Sequence, residues 1–240
     1  MYEQRFYRYW ATNRLKRTEV VVDETDLLIL ADTDLDKEYI KKQIVFYRSQ
    51  ISSCIKQYPD FAVSLTALPH KDLPCEIVKF MAENSAKVDV GPMASVAGAI
   101  AEFIGWDLKK FCSNIIVENG GDIFAFVDFD LKIGLYAGRD NPVNNMAFIV
   151  NRRDYAFGLC SSSSKLGHSL SFGNADLSVV LAKNTAFADA LATKLANMVK
   201  SPNDISRVVD WAKSFSETEA VLLAAGDKIG IWGNIEITDF

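Results

Sequence analysis

Asp189 and Thr193 lie in the stretch NTAFADALATKL, residues 184–195. Ala188, Leu191, Ala192 and Leu195 recur at helical spacing, so the stretch predicts a buried helix. Asp189 and Thr193 are four residues apart and therefore project from one side of it, one turn from each other. A carboxylate and a hydroxyl are hard oxygen donors, and two of them one turn apart can reach one magnesium ion. Magnesium keeps its other positions for water or phosphate oxygens. A structural use is also open from the spacing, and spacing alone favours it. A carboxylate near a helix N-terminus is favoured by the helix dipole, and the Thr193 hydroxyl can bond back to the Asp189 carbonyl.

Two further groups carry chemistry. Asn119-Gly120-Gly121-Asp122 is the composition of a tight hairpin turn, and also of a bare backbone against which a flat ligand or a phosphate can lie. Ser161, Ser162, Ser163 and Ser164 are followed by Lys165 and then by Gly167-His168-Ser169. Four hydroxyls, a cation and a titratable imidazole suit phosphate, and a polar loop has the same composition. The chain contains no GxSxG, and no acid is placed by sequence beside His168, which weakens a serine-hydrolase reading. It also lacks GxGxxG and GxxxxGK[ST], so neither common nucleotide-binding fingerprint is present.

These groups need elements to position them. Residues 4–9, 17–22 and 27–31 read as strands. Asp34 or Asp36 can cap a long helix that runs through about Gln57, with Pro59 as its stop. Residues 69–74 read as a loop and 76–85 as a helix. Pro92 suits the first turn of a helix rich in small residues (Ala94, Ser95, Ala97, Gly98, Ala99, Ala101), for which Gly105 looks like the end. Strands are expected at 115–118, 123–127 and 131–136, joined in turn by 119–122 and 128–130. More follow at 147–150, 156–160 and 177–181. Helices at about 186–199 and 204–215 precede a closing hairpin, 220–224 and 228–232, around Gly226-Asp227. Hairpin-linked strands among long helices indicate an α+β fold, antiparallel sheets packed with long helices, rather than a βαβ sheet. No linker or repeat divides the 240 residues, which read as a single domain, 1–240.

Composition narrows the function classes. Hydrophobic residues make up 49% and charged residues 24%, as in ordinary globular chains. The net charge of −5 does not favour nucleic acid, and Arg14-Leu15-Lys16-Arg17 reads as a solvated strand edge or turn. No apolar run reaches the roughly 18 residues that span a bilayer, and residues 1–10 do not resemble a signal peptide. Cys54, Cys75, Cys112 and Cys160 are far apart, and His70 and His168 have no zinc-site spacing to them. Reduced thiols in a cytoplasmic protein are expected. The aromatic-rich N-terminal strand could pair with a second copy, giving a homo-oligomer.

The order of VGPMASVAG, ENGGDI, SSSSKLGHSLSFGNAD and the ADALAT helix, spanning 89–197, resembles the ApbE-like flavin transferase superfamily and, more closely, an uncharacterised branch of it. The resemblance implies a T-fold-related architecture and an activity that splits FAD, transferring FMN to a threonine or serine hydroxyl of an acceptor protein with magnesium. It implies a metal held by Asp189 and Thr193 of a DxxAT motif that includes Ala192, with a carbonyl from Ala94. It matches Gly120-Gly121-Asp122 to the family's glycine pair before an acid, and His168 to a family histidine. Asp189, His168 and Asp122 are then expected in catalysis. Gly120, Gly121, Ser95, Ser161, Ser162 and Ser163 are expected against the flavin nucleotide. The chain departs from the family at Ser95, where the family has lysine, and after His168, where an Asp-Pro pair is missing. Residues 1–60 hold no clear counterpart of the segment that grips adenine. These departures support a rival reading, a non-catalytic protein that binds a flavin or another heterocycle. A second rival is a different enzyme acting on a small aromatic or pterin-like metabolite.

Overall fold

The computed structural model describes residues 15–69, 72–138, 141–163 and 173–239. Strands β1 (Lys16–Val22) and β2 (Thr25–Ala31) form a hairpin and lead to helix α1 (Lys37–Gln57), the short α2 (Asp60–Val63) and α3 (Glu76–Ala86). A 3₁₀ turn, Pro92–Ser95, runs into α4 (Val96–Lys109). Strands β3 (Ile115–Asn119), β4 (Asp122–Phe126), β5 (Leu131–Gly134), β6 (Met146–Val150), β7 (Phe157–Ser162) and β8 (Leu177–Ala182) come next. Helices α5 (Thr185–Met198) and α6 (Ile205–Ala212) precede β9 (Thr218–Ala225), β10 (Lys228–Gly233) and β11 (Glu236–Asp239). Of the two candidate caps, Asp36 starts α1, accepting from the Glu38 N–H at 2.9 Å. Residues 4–9, together with His70 and Lys71 of the expected loop, lie outside the described residues.

Eight strands form one antiparallel sheet in the order β1-β2-β3-β4-β7-β8-β9-β10, and β11-β6-β5 form a second, also antiparallel. The side-chain period of two sorts the large sheet into two faces. Leu27, Ile29, Val117 and Phe124 pack with α1, α3 and α4. Further along the same face, Cys160, Val180 and Val221 pack with α5 and α6. On the other face Leu28, Ile116, Leu159, Val179 and Leu222 pack against Leu131, Phe148 and Val150 of the small sheet. Helices, large sheet and small sheet thus make three layers. The central strands β2, β3 and β8 are buried throughout because both their faces are covered. Among the described residues, no helix is long and apolar enough to cross a membrane.

One expectation needs correction, and two features were not foreseen. The segment 128–130 joins β4 to β5 as expected, but it carries the chain from one sheet to the other: β4 pairs with β3 and β7 whereas β5 pairs with β6 in the small sheet. The strand β11 was not foreseen: its sequence, EITD, is too short to show alternation. Gly105 does not end α4, which continues to Lys109. The glycine is there for contact: a Cβ on it would lie 2.1 Å from Cδ1 of Phe124, a buried ring held edge-on by Trp106. Gly105→Ala is expected to lower stability by roughly 1–3 kcal/mol through overpacking. This outweighs the ~1 kcal/mol by which alanine favours a helix over glycine. Urea midpoints test this, and an unchanged or higher midpoint would show that the Phe124 ring can move aside.

Candidate functional site

The N-terminus of α5 is where three backbones meet. Asn184 caps it, accepting from the Phe187 N–H at 2.8 Å. Glu102 of α4 accepts from the Thr185 N–H at 2.7 Å, and burial pushes its carboxyl above the ordinary range against that bond. The helix start is pressed onto β7 at Gly158, where a Cβ would come 2.4 Å from Thr185 Cα. It is also pressed onto α4 at Gly98, where a Cβ would come 2.6 Å from the Thr185 carbonyl oxygen and 2.9 Å from Asp189 Cβ. Only glycine permits approaches this close. Of the small residues noted at 94–101, Gly98 lies where that approach occurs.

The crossing delivers Asp189 to the first turn of α4. Asp189 Oδ2 accepts from the Gly98 N–H at 2.9 Å. That N–H belongs to the helix's first turn and has no partner within the helix, so a carboxylate from α5 supplies what a capping side chain would. Asp189 is 8% exposed. Burial drives its carboxyl up to about 7, while the backbone donors at Gly98 and Ala97 pull the other way. The dipole argument made for α5 therefore acts chiefly through α4, a detail of tertiary packing.

Register brings the second acid. Asn119 pairs with Asp122 across the hairpin, and alternation puts both on the helix-covered face together with Gly158 and Cys160. Gly120 and Gly121 adopt φ of +70° and +102°, as a two-residue primed turn requires. Glu118 clamps the turn by accepting from the Gly121 N–H at 2.9 Å, and the Ser161 hydroxyl donates to the Gly121 carbonyl at 3.2 Å. Asp122 accepts from the Ser161 N–H at 3.2 Å. Burial, and then the charge of Asp189, hold the Asp122 carboxyl well above the ordinary range. Burial and the two carboxylates likewise raise the Cys160 thiol, whose Sγ donates to the Thr185 carbonyl at 3.3 Å.

The other predicted positions fall around this pair. Thr193 is half-buried one turn beyond Asp189, Ala192 is fully buried, and Ala94 is half-buried against the α5 cluster. Ser161 and Ser162 are half-buried and Ser163 is buried. Ser95 is fully buried, and its hydroxyl is shared between the Pro92 and Met81 carbonyls at 2.8 and 3.1 Å, so it serves the fold from inside. Ser164, Lys165 and His168 lie outside the described residues. Asn119, named from sequence only as part of the turn and not as a site residue, donates its side-chain amide to the Ala97 carbonyl at 3.1 Å. The signal for it was a polar side chain at the end of an apolar strand, facing the helices.

Among the described residues no three His, Cys, Asp or Glu side chains converge as metal ligands. Magnesium needs only one or two protein carboxylates, its other positions going to water, hydroxyl, carbonyl or phosphate oxygens. Two open hollows, of about 810 and 670 Å³, lie away from Asp189. The first is beside Arg153, Tyr155 and Glu219, and the second is between α6 and β10.

The family model described as AbpE bacteria matches residues 8–217. The chain belongs to that family. A UPF0280 protein of Methanococcus aeolicus is 37% identical over 222 residues, 90% of each chain, and one of Methanocaldococcus jannaschii is 36% identical over 227 residues, 91% of each. The apbE protein of Thermotoga maritima superposes with a TM-score of 0.56 at 13% identity, over 92% of this chain and 96% of that one. The flavinyl transferase ApbE of Pseudomonas stutzeri does so with a TM-score of 0.55 at 11% identity, over 94% of each. Family membership thus rests on sequence, and the structural likenesses establish a shared ApbE fold.

The buried acid generates a pH test. Between about pH 4 and pH 7 the folded protein keeps the Asp189 proton that the unfolded chain has released. Stability should therefore fall as pH rises through that window, with Asp189 contributing roughly 1.4 kcal/mol per pH unit and the raised Asp122 adding to the decline in the same direction. Asp189→Asn keeps an acceptor for Gly98 and removes this contribution. Denaturant titrations of both proteins from pH 4 to pH 8 should show a shallower decline in the variant, and equal slopes would refute the assignment.

Proposed function

We propose that this protein is a magnesium-dependent flavin transferase, working as one ApbE-like domain. It would take FMN from FAD, attach it to a threonine or serine hydroxyl of an acceptor protein, and release AMP. The observation that carries the reading is Asp189: a carboxylate buried at a helix crossing, anchored by a backbone N–H, with burial opposing its charge. A hard cation would relieve that opposition, since it favours the ionised carboxylate. Membership of the AbpE family and the fold shared with a named flavinyl transferase support the choice of chemistry.

In this reading Asp189 and Thr193 hold the ion with the Ala94 carbonyl, beside Ala192. A magnesium ion supplies charge neutralisation on the pyrophosphate. The bare Gly120 would lie against a flat or phosphate group, and Ser162 and Ser163 would offer hydroxyls to phosphate oxygens; Ser161, whose hydroxyl donates to the Gly121 carbonyl, would hold the turn in place. Asp122, poised by burial to take up a proton, receives the one that leaves the acceptor hydroxyl, a role it shares with His168 as candidates. The acceptor oxygen forms a bond to the FMN phosphorus as the pyrophosphate bond to AMP breaks.

Ser95 favours a second reading, flavin binding without transfer, because its inward hydroxyl stands where the resemblance places a lysine. Incubation of the purified protein with FAD and magnesium, followed by chromatography, decides between them. The expected result is AMP release that EDTA abolishes and that Asp189→Ala lowers at least 100-fold. Retention of intact FAD without AMP would establish the binding module, and absence of both binding and turnover would overturn the flavin reading.

A further inference from the structure

Ala97 and Gly98 share one peptide group, and side chains from two other elements grip it at opposite ends. Its N–H donates to Asp189 of α5 at 2.9 Å, and its carbonyl accepts from Nδ2 of Asn119 at 3.1 Å. Asn119 is the last residue of β3, only 5% exposed, and is paired with Asp122 across the Gly-Gly turn. A carbonyl has two lone pairs, so Asn119 can bond it without displacing the helix's own ladder. A hydrogen bond at the oxygen polarises the peptide and strengthens its N–H as a donor. It also fixes the plane of that peptide in the first turn of α4, the part of a helix least restrained by its own bonds.

We propose that Asn119 is a positioning residue: by holding the Ala97–Gly98 peptide it sets the orientation in which Asp189 presents its carboxylate to a hard divalent cation. The inference rests on the reading of Asp189 as the cation-binding acid. It assigns Asn119 a part in the site without contact with the ion. A residue that only pinned the hairpin to α4 would change stability and nothing else.

Two measurements test this, neither of which depends on turnover. Manganese, a paramagnetic stand-in for magnesium, is titrated into wild-type protein and Asn119→Ala and followed by electron paramagnetic resonance. Outer partners of ligating side chains commonly contribute 10–100-fold to metal affinity, so the variant should bind manganese about tenfold more weakly while remaining folded. Urea unfolding of wild type, Asn119→Ala, Asp189→Asn and the double variant, without metal, then gives a mutant cycle. The two effects on the unfolding constant should fail to multiply by about threefold or more. Independent effects, or an unchanged manganese affinity in folded Asn119→Ala, overturn the proposal. Should Asn119→Ala not fold, Asn119→Ser takes its place in both measurements. A wild-type protein that binds no manganese would defeat the reading of Asp189 as a metal ligand, and the cycle would still decide whether Asn119 positions it.

Discussion

The hydrogen bond from the Gly98 N–H to the Asp189 carboxylate is the constraint on which the rest of the site depends. It requires α4 and α5 to cross at backbone distance, which in turn requires a residue without Cβ at position 98 and another at 158 beneath the start of α5. A carboxylate so placed is costly: desolvation of an isolated buried charge runs to several kcal/mol, and one hydrogen bond from a neutral donor recovers only about 1–3 of it. The raised proton affinity of Asp189 is the remainder of that imbalance.

Asp122 intensifies the imbalance instead of relieving it. The hairpin brings a second buried acid to the same face, and the charge of Asp189 makes its ionisation harder. Two acids that repel one another under a helix crossing give the fold little stability, and replacing them with apolar residues would be the cheaper way to fill the space. Buried acids with strongly raised proton affinity mark the crossing as a candidate site. The supports around them fit the same view. Glu118 and Ser161 lock the Gly-Gly turn, Glu102 holds the first N–H of α5, and Asn119 holds the peptide to which Asp189 is bonded. The first three hold elements that carry one of the acids, and Asn119 acts on α4.

The large sheet makes this possible by giving its two faces different partners. One face buries apolar side chains against the small sheet. The helix-covered face can therefore include Asn119, Asp122 and the bare Gly158 without losing its core, since α1, α3 and α6 still cover apolar residues on either side of the site.

Much of this was legible in the sequence. The α1 helix with its aspartate cap, the Gly-Gly hairpin, the small-residue helix and the Asp189–Thr193 pair follow from local rules of capping, φ and periodicity, which act over a few residues. The membership of the chain in a family followed from the order of short motifs. Tertiary structure alone decided what Asp189 touches, because an acceptor for the first turn of α4 lies 91 residues away in the chain. It also decided that Gly105 is a contact and not an end, that β5 leaves the large sheet, that Ser95 turns inward, and that Asn119 reaches the peptide next to Asp189. Each of these depends on which surfaces meet. Spacing along one strand or helix reports the direction of a side chain and says nothing about the backbone waiting there.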